Sequence, residues 1–142
     1  MSIAFWRDEY LTGENAIDQQ HKYLFKLINQ LHNAMMEGHG QDVINNTLGR
    51  LVEYTIKHFD AEEQLMIDYN YPNYIIHKEK HDSLKNDVIV LQQELLEHQQ
   101  FITAKVSRFL TDWLIHHIKG EDLKMIKYIQ DKKLEMHQYD LL

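Results

Sequence analysis

The sequence predicts an all-α protein: an up-down-up-down four-helix bundle with an N-terminal arm and a short C-terminal helix. Three observations predict it. The 142 residues contain one proline and five glycines, too little punctuation for the many turns of a sheet protein. Leu, Gln, Glu and Lys, all good helix formers, are abundant. Apolar residues recur at alternating spacings of four and three over long stretches, the stripe of a helix facing a core. Short breaks between these stretches favour antiparallel neighbours. A chain of this length is read as one domain, 1–142, able to bury roughly 70% of its unfolded surface.

Residues 1–15 read as a non-helical arm whose Phe5, Trp6 and Tyr10 lie across the bundle. The first helix is expected over 16–37, capped by Asn15 or Asp18 and stopped by Gly38-His39-Gly40. Its inward stripe is Ile17, His21, Leu24, Ile28, Leu31 and Met35. The second helix, 42–70, carries Ile44, Leu48, Leu51, Thr55, His58, Glu62, Leu65 and Tyr69 in the same spacing. Tyr71-Pro72-Asn73 breaks the chain, and proline is tolerated in the first turn of the third helix, 72–98. That helix places Tyr74, His77, His81, Leu84, Val88, Leu91 and Leu95 inward.

The fourth helix, 102–120, carries Thr103, Val106, Leu110, Trp113 and His117. A further step of four lands on Glu121, yet Met125, Ile126 and Ile129 are in phase with Asp122. Five residues turn a regular helix by about 500°, which leaves Asp122 some 140° from His117. The slip predicts a π-bulge or a break near Gly120. A C-terminal helix over 121–134 and a polar tail complete the reading.

The net charge of −7 argues against nucleic acid and against an anionic membrane surface. No apolar run approaches the ~20 residues of a membrane span, and the first residues do not resemble a leader. The expectation is a soluble cytoplasmic protein. With no cysteine and ten histidines, a transition-metal site must be built from imidazole and carboxylate, which suit iron, zinc, copper or manganese.

His21, His58, Glu62, His77, His81 and His117 stand on inward stripes, and Asp122 does so once the slip is allowed. His77 and His81, four apart, have the spacing of a metal pincer. Each buried polar group costs roughly 1–3 kcal/mol if unsatisfied, against a total stability of ~5–15 kcal/mol. Either the histidines are satisfied by carboxylates and waters in a polar core, or a metal binds them. Seven donors exceed one ion and suit two. If both are six-coordinate, two bridging carboxylates, a bridging oxygen and five imidazoles leave one position open. That position falls on the metal holding two histidines, as in a ligand-binding rather than a closed structural site.

The series Ile17-Asp18-Gln19-Gln20-His21-Lys22, His58-Phe59-Asp60-Ala61-Glu62-Glu63, His77-Lys78-Glu79-Lys80-His81 and Trp113-Leu114-Ile115-His116-His117-Ile118-Lys119-Gly120-Glu121-Asp122 resembles the motifs of hemerythrins, in particular bacterial single-domain ones. The resemblance spans about residues 6–128. It implies reversible dioxygen binding at two non-haem iron ions bridged by an oxo or hydroxo group, Glu62 and Asp122. It further implies that His77, His81 and His117 hold one iron, and that His21 and His58 hold the other, where dioxygen binds.

Transport, storage, delivery and sensing all fit that chemistry, and no protein acceptor is identified. The alternative is an oxidase, peroxidase or iron handler on the same bundle, but oxygen-activating sites carry more carboxylates and fewer histidines. A non-enzyme is therefore expected. Leu24, Phe25, Phe59, Trp113, Leu114 and Ile118 flank the candidate ligands and are the expected walls of an apolar oxygen pocket, as well as core. His39, His98, His116 and His137 are left out by position, and His32 is read as packing at the bundle end. Glu63 and Glu121 are read as solvated, with orientation of a ligand histidine as the alternative.

Overall fold

The computed structural model describes residues 2–97 and 104–140. Its helices are α1 (Asn15–Met36), α2 (Gln41–Asp68), α3 (Tyr74–Glu97), α4 (Ala104–His117) and α5 (Leu123–Asp140), and α4 runs into α5 through a π-helical turn at Ile118–Asp122. The described residues contain no strand. Short turns join α1 to α2 and α2 to α3, and the helices form the expected bundle, with α1 packed on α2 and α4, and α2 on α3. No helix among the described residues is long and apolar enough to cross a membrane. His98 and the first residues expected of the fourth helix lie outside the described residues.

The first two bundle helices end by the same device. After α1, Gly38 adopts a positive φ of 72°, and the His39 N–H donates to Ala34 O at 3.1 Å. After α2, Asn70 takes φ 52°, and the Tyr71 N–H donates to Met66 O at 2.9 Å. Both close the Schellman pattern that satisfies the last carbonyls. Asn70 is the one non-glycine residue there able to bear a left-handed conformation at low cost.

The arm departs from the expected non-helical form by one 3-10 turn, Asp8–Tyr10. Asn29 Oδ1 accepts from the N–H groups of Ile3 (2.9 Å) and Ala4 (2.8 Å), and Asn29 Nδ2 donates to Ala4 O. Trp6, Tyr10 and Phe25 then meet with ring centroids 5.5–5.6 Å apart. Neither Asn15 nor Asp18 caps α1. Asn15 is already helical, and Asp18 reaches back to hold the Thr12 N–H, the Thr12 hydroxyl and the Gly13 N–H.

α5 extends past the expected end at 134, to Asp140. Lys132, Lys133, Leu134, Glu135 and Met136, all good helix formers, sustain the helix there on propensity.

Two apolar clusters fill the interior. The larger joins Leu24, Phe25, Ile28 and Leu31 of α1 to Leu48 and Leu51 of α2, and to Leu110 and Leu114 of α4. The smaller joins Ile17, Met66, Met125, Ile126 and Ile129. Each fully buried aliphatic side chain contributes about 1.5–3 kcal/mol. On α1, α2 and the α4–α5 junction, a polar layer falls between these clusters.

Candidate metal centre

That layer consists of the seven residues singled out in the sequence. His21 comes from α1, His58 and Glu62 from α2, His77 and His81 from α3, His117 from the end of α4, and Asp122 from the π turn. Six are at most 2% exposed and His117 is 5% exposed. The π turn decides whether the last two can meet. In a regular helix they would point some 140° apart, whereas here His117 Nε2 lies 3.1 Å from Asp122 Oδ1. The predicted bulge is therefore present, and it carries a carboxylate into the layer.

Two groups of donors form. Glu62, His77, His81, His117 and Asp122 each place a potential ligand atom within 4.8 Å of the others, and so do His21, His58, Glu62 and Asp122. The two carboxylates belong to both groups. Each group could hold a metal ion, and the shared carboxylates could span the two.

The donor atoms behave as ligands do. His21 Nε2 is 2.9 Å from Asp122 Oδ2, and His77 Nε2 is 3.2 Å from Asp122 Oδ1. Even so, His21 Nε2, His58 Nε2, His77 Nε2 and all four carboxylate oxygens are buried without a hydrogen bond of acceptable direction. Proximity without alignment means that the lone pairs converge on points between the groups. His81 Nε2 and His117 Nε2 face each other at 2.9 Å. Two neutral imidazoles that share a cation between those nitrogens both use lone pairs there. The donor set and the orphaned buried atoms thus fit a pair of transition-metal ions.

Without metal, the layer becomes a buried charge cluster. Burial pushes the His21 and His77 pKa down, but the close carboxylates of Asp122 and Glu62 outweigh it and raise both to about 9. Burial would raise the Glu62 pKa; the charge of His58 and contacts from His21 and His77 instead hold it well below the carboxylate range. Asp122 is pushed up by burial and by Glu62, yet His117 and His21 bring it below that range as well.

Phe59, fully buried, stacks on His81 with ring centroids 3.9 Å apart and planes 7° apart. Trp113 lies parallel to His117 at 6.4 Å. Of the six expected pocket walls, Leu24, Phe25, Leu114 and Ile118 sit in the larger apolar cluster beside the layer, and Phe59 packs against the histidines. Trp113 differs. With Leu84, Lys80 and Glu121 it lines an open cavity of about 290 Å³ that reaches His117.

Sequence reasoning missed one contact and held the other only as an alternative. The His58 Nδ1–H donates to Gln20 Oε1 at 2.6 Å, and the His81 Nδ1–H donates to Glu63 Oε2 at 3.0 Å. Glu63, expected in solvent, is 8% exposed, because the α2–α3 contact folds over its flank. Glu121 is partly buried and paired with Lys80. His32 binds Ser107 through Nδ1 at 2.9 Å, away from the layer, and His116 is exposed.

Comparison with known proteins agrees with this geometry. Residues 12–129 match the hemerythrin HHE cation binding domain family. A bacteriohemerythrin of Methylococcus capsulatus is 31% identical over 86% of this chain and 93% of its own length. A hemerythrin-like protein of Naegleria gruberi is 31% identical over 84% and 87%. The crystal structure of a wild-type hemerythrin superposes with a TM-score of 0.83 at 28% identity, covering 90% of this chain and 98% of that one. A bundle of the right order, a histidine-rich layer with two shared carboxylates and a match over most of its length make this chain a member of the hemerythrin family, whose domain carries a non-haem di-iron centre that binds dioxygen.

Proposed function

We propose that His77, His81 and His117 hold one iron, that His21 and His58 hold the other, and that Glu62 and Asp122 bridge them in a centre that binds dioxygen reversibly. The observation that carries this assignment is the sharing of both carboxylates between a three-histidine and a two-histidine group. His21 and His58 would give their iron one protein ligand fewer than His77, His81 and His117 would give the other, which would leave room there for a small ligand. When bound, the iron pair supplies the two electrons that dioxygen takes up.

The side chains do the rest. Five imidazoles give the irons neutral donors and two carboxylates hold them together, which leaves a modest net charge in a dry layer. Leu24, Phe25, Phe59, Leu114 and Ile118 exclude water and external acids from the ligand, the condition for releasing it unchanged. Beyond the seven, the buried carboxylates and histidines among the described residues are Asp18, His32 and Glu63. Each is committed to hydrogen bonds, so none is free to act as acid or base in turnover. That supports a binding protein rather than an enzyme.

The net charge of −7 repels nucleic acid and anionic lipid alike, which supports a protein with neither as partner. The reading is tested on purified protein by iron content together with visible spectra taken under nitrogen, then air, then nitrogen again. Two irons per chain and a spectral change that reverses are expected. Iron-loaded protein with no reversible change overturns it.

A further inference from the structure

The two histidines with partners on their outer nitrogens have partners of different charge. His58, of the two-histidine group, donates its Nδ1–H to the neutral amide of Gln20 at 2.6 Å. His81, of the three-histidine group, donates to the carboxylate of Glu63 at 3.0 Å. The outer nitrogens of His21 and His77 have no hydrogen-bond partner among the described residues. Among the described residues, Glu63 is thus the carboxylate seen to accept a hydrogen bond from the outer nitrogen of a candidate ligand, and it sits on the three-histidine half.

Glu63 is held in place. It is 8% exposed, with Lys78 Nζ at 3.9 Å and Lys85 Nζ at 4.0 Å on its solvent side. Phe59, adjacent on the same side of α2, covers the face of the His81 ring. The ring is therefore fixed in plane by stacking and in rotation by the carboxylate. With the proton on Nδ1, the Nε2 lone pair is committed to the layer. A carboxylate behind an imidazole raises its basicity as a ligand, whereas an amide orients the ring without adding charge.

We infer that Glu63 and Gln20 make the two halves of the centre electronically unequal. Glu63 is a positioning residue that biases the three-histidine iron toward the ferric state, and Gln20 orients His58 while leaving the dioxygen-binding half uncharged on its outer side. This rests on the di-iron reading and deepens it by assigning the electron-rich half to a residue outside the ligand set. A negative charge there stabilises ferric over ferrous iron. The neutral amide behind His58 adds no such bias to the other half.

The test uses the full chain and three variants, Glu63→Gln, Gln20→Glu and Asp60→Asn. Glu63→Gln keeps an acceptor for the His81 N–H but removes the charge. Asp60→Asn removes the same charge from an exposed residue that pairs with Lys85 at 3.6 Å and touches no histidine. In a mediated redox titration of iron-loaded protein, Glu63→Gln shifts the ferric–ferrous equilibrium toward ferrous by about tenfold, equal to about 59 mV for one electron. Gln20→Glu shifts it the opposite way, and Asp60→Asn leaves it within twofold. No shift in Glu63→Gln, or an equal shift in Asp60→Asn, overturns the inference. Gln20→Glu still decides the sign if Glu63→Gln does not fold.

Zinc affinity of the metal-free protein gives a readout independent of dioxygen. Glu63→Leu, which loses the acceptor as well, binds zinc about 10–100-fold more weakly than wild type. Affinity within twofold of wild type overturns the positioning role. If wild-type protein loads iron but fails to respond to dioxygen, the functional reading falls while the zinc arm still judges Glu63.

Discussion

Metal-free protein is predicted to lose stability as pH rises from 6.5 to 9, where most proteins are insensitive. The perturbation is chelation followed by titration. His21 and His77 have an ordinary pKa of 6.5 and one of about 9 in the folded, metal-free layer. A raised folded pKa gives stability that is complete below 6.5 and is lost as pH climbs through about 9, because over that interval the folded chain holds protons that the unfolded chain has released. With two such groups the slope approaches about 3 kcal/mol per pH unit, since each proton contributes about 1.4 kcal/mol per unit. The total is on the order of several kcal/mol, comparable to the ~5–15 kcal/mol stability of a typical domain.

Glu62 and Asp122 have depressed folded values, so their contribution is present above the ordinary carboxylate pKa and is lost as pH falls below it. Stability of the metal-free chain is therefore greatest near pH 5–6.5. In the loaded protein the histidines are already neutral ligands, and the alkaline decline disappears. The assay is guanidinium denaturation of chelated and iron-loaded samples between pH 5 and 9.5. A metal-free stability that stays flat from pH 6.5 to 9 refutes the reasoning, because histidines so placed would then not be held protonated by the carboxylates.

Three further outcomes follow from local contacts. Phe59→Ala, at a fully buried ring stacked on His81, costs about 3–5 kcal/mol in denaturant and weakens iron retention on dialysis against a chelator. Gly120→Ala changes stability by no more than about 0.5–1 kcal/mol and leaves iron content intact, since a β-carbon there meets nothing within 4 Å and the backbone has no positive φ. Asn29→Ala removes the clamp on Ile3 and Ala4, costs about 1–3 kcal/mol, and accelerates amide hydrogen exchange at those two residues.

Much of the centre is legible because its ligands obey the periodicity of the core. His21 and His58 form no local motif, yet each stands where a leucine would, and a polar residue on an apolar stripe needs an explanation. Gln20 is illegible, and Glu63 legible only as an alternative, for the converse reason. Each is one position from a ligand, rotated about 100° from the stripe, and reads as solvent-facing flank. Only the crossing of α1 with α2 and of α2 with α3 turns those flanks inward. The two hydrogen bonds join residues 38 and 18 positions apart, beyond any local pattern. The extension of α5 to Asp140 escapes notice because Glu135-Met136-His137-Gln138-Tyr139-Asp140 offers no apolar stripe to follow.

The register slip after His117 is the reverse case, a broken local rule that carries information. A continuous α-helix from Ile115 to Met125 could keep either His117 or Asp122 in the layer, along with either Leu114 or Met125 in its apolar cluster, but not both of each. The π turn at Ile118–Asp122 admits one extra residue, so that both polar groups face inward 3.1 Å apart while Leu114 and Met125 stay fully buried above and below. Gly120 is not what permits it, because the space at that residue is open. The packing on either side demands it: Ile118 joins the larger cluster, Ile126 and Ile129 join the smaller, and these anchors are in phase only with one residue in excess. Since the carboxylate would otherwise point away, the apolar clusters that flank the layer also complete its set of candidate ligands.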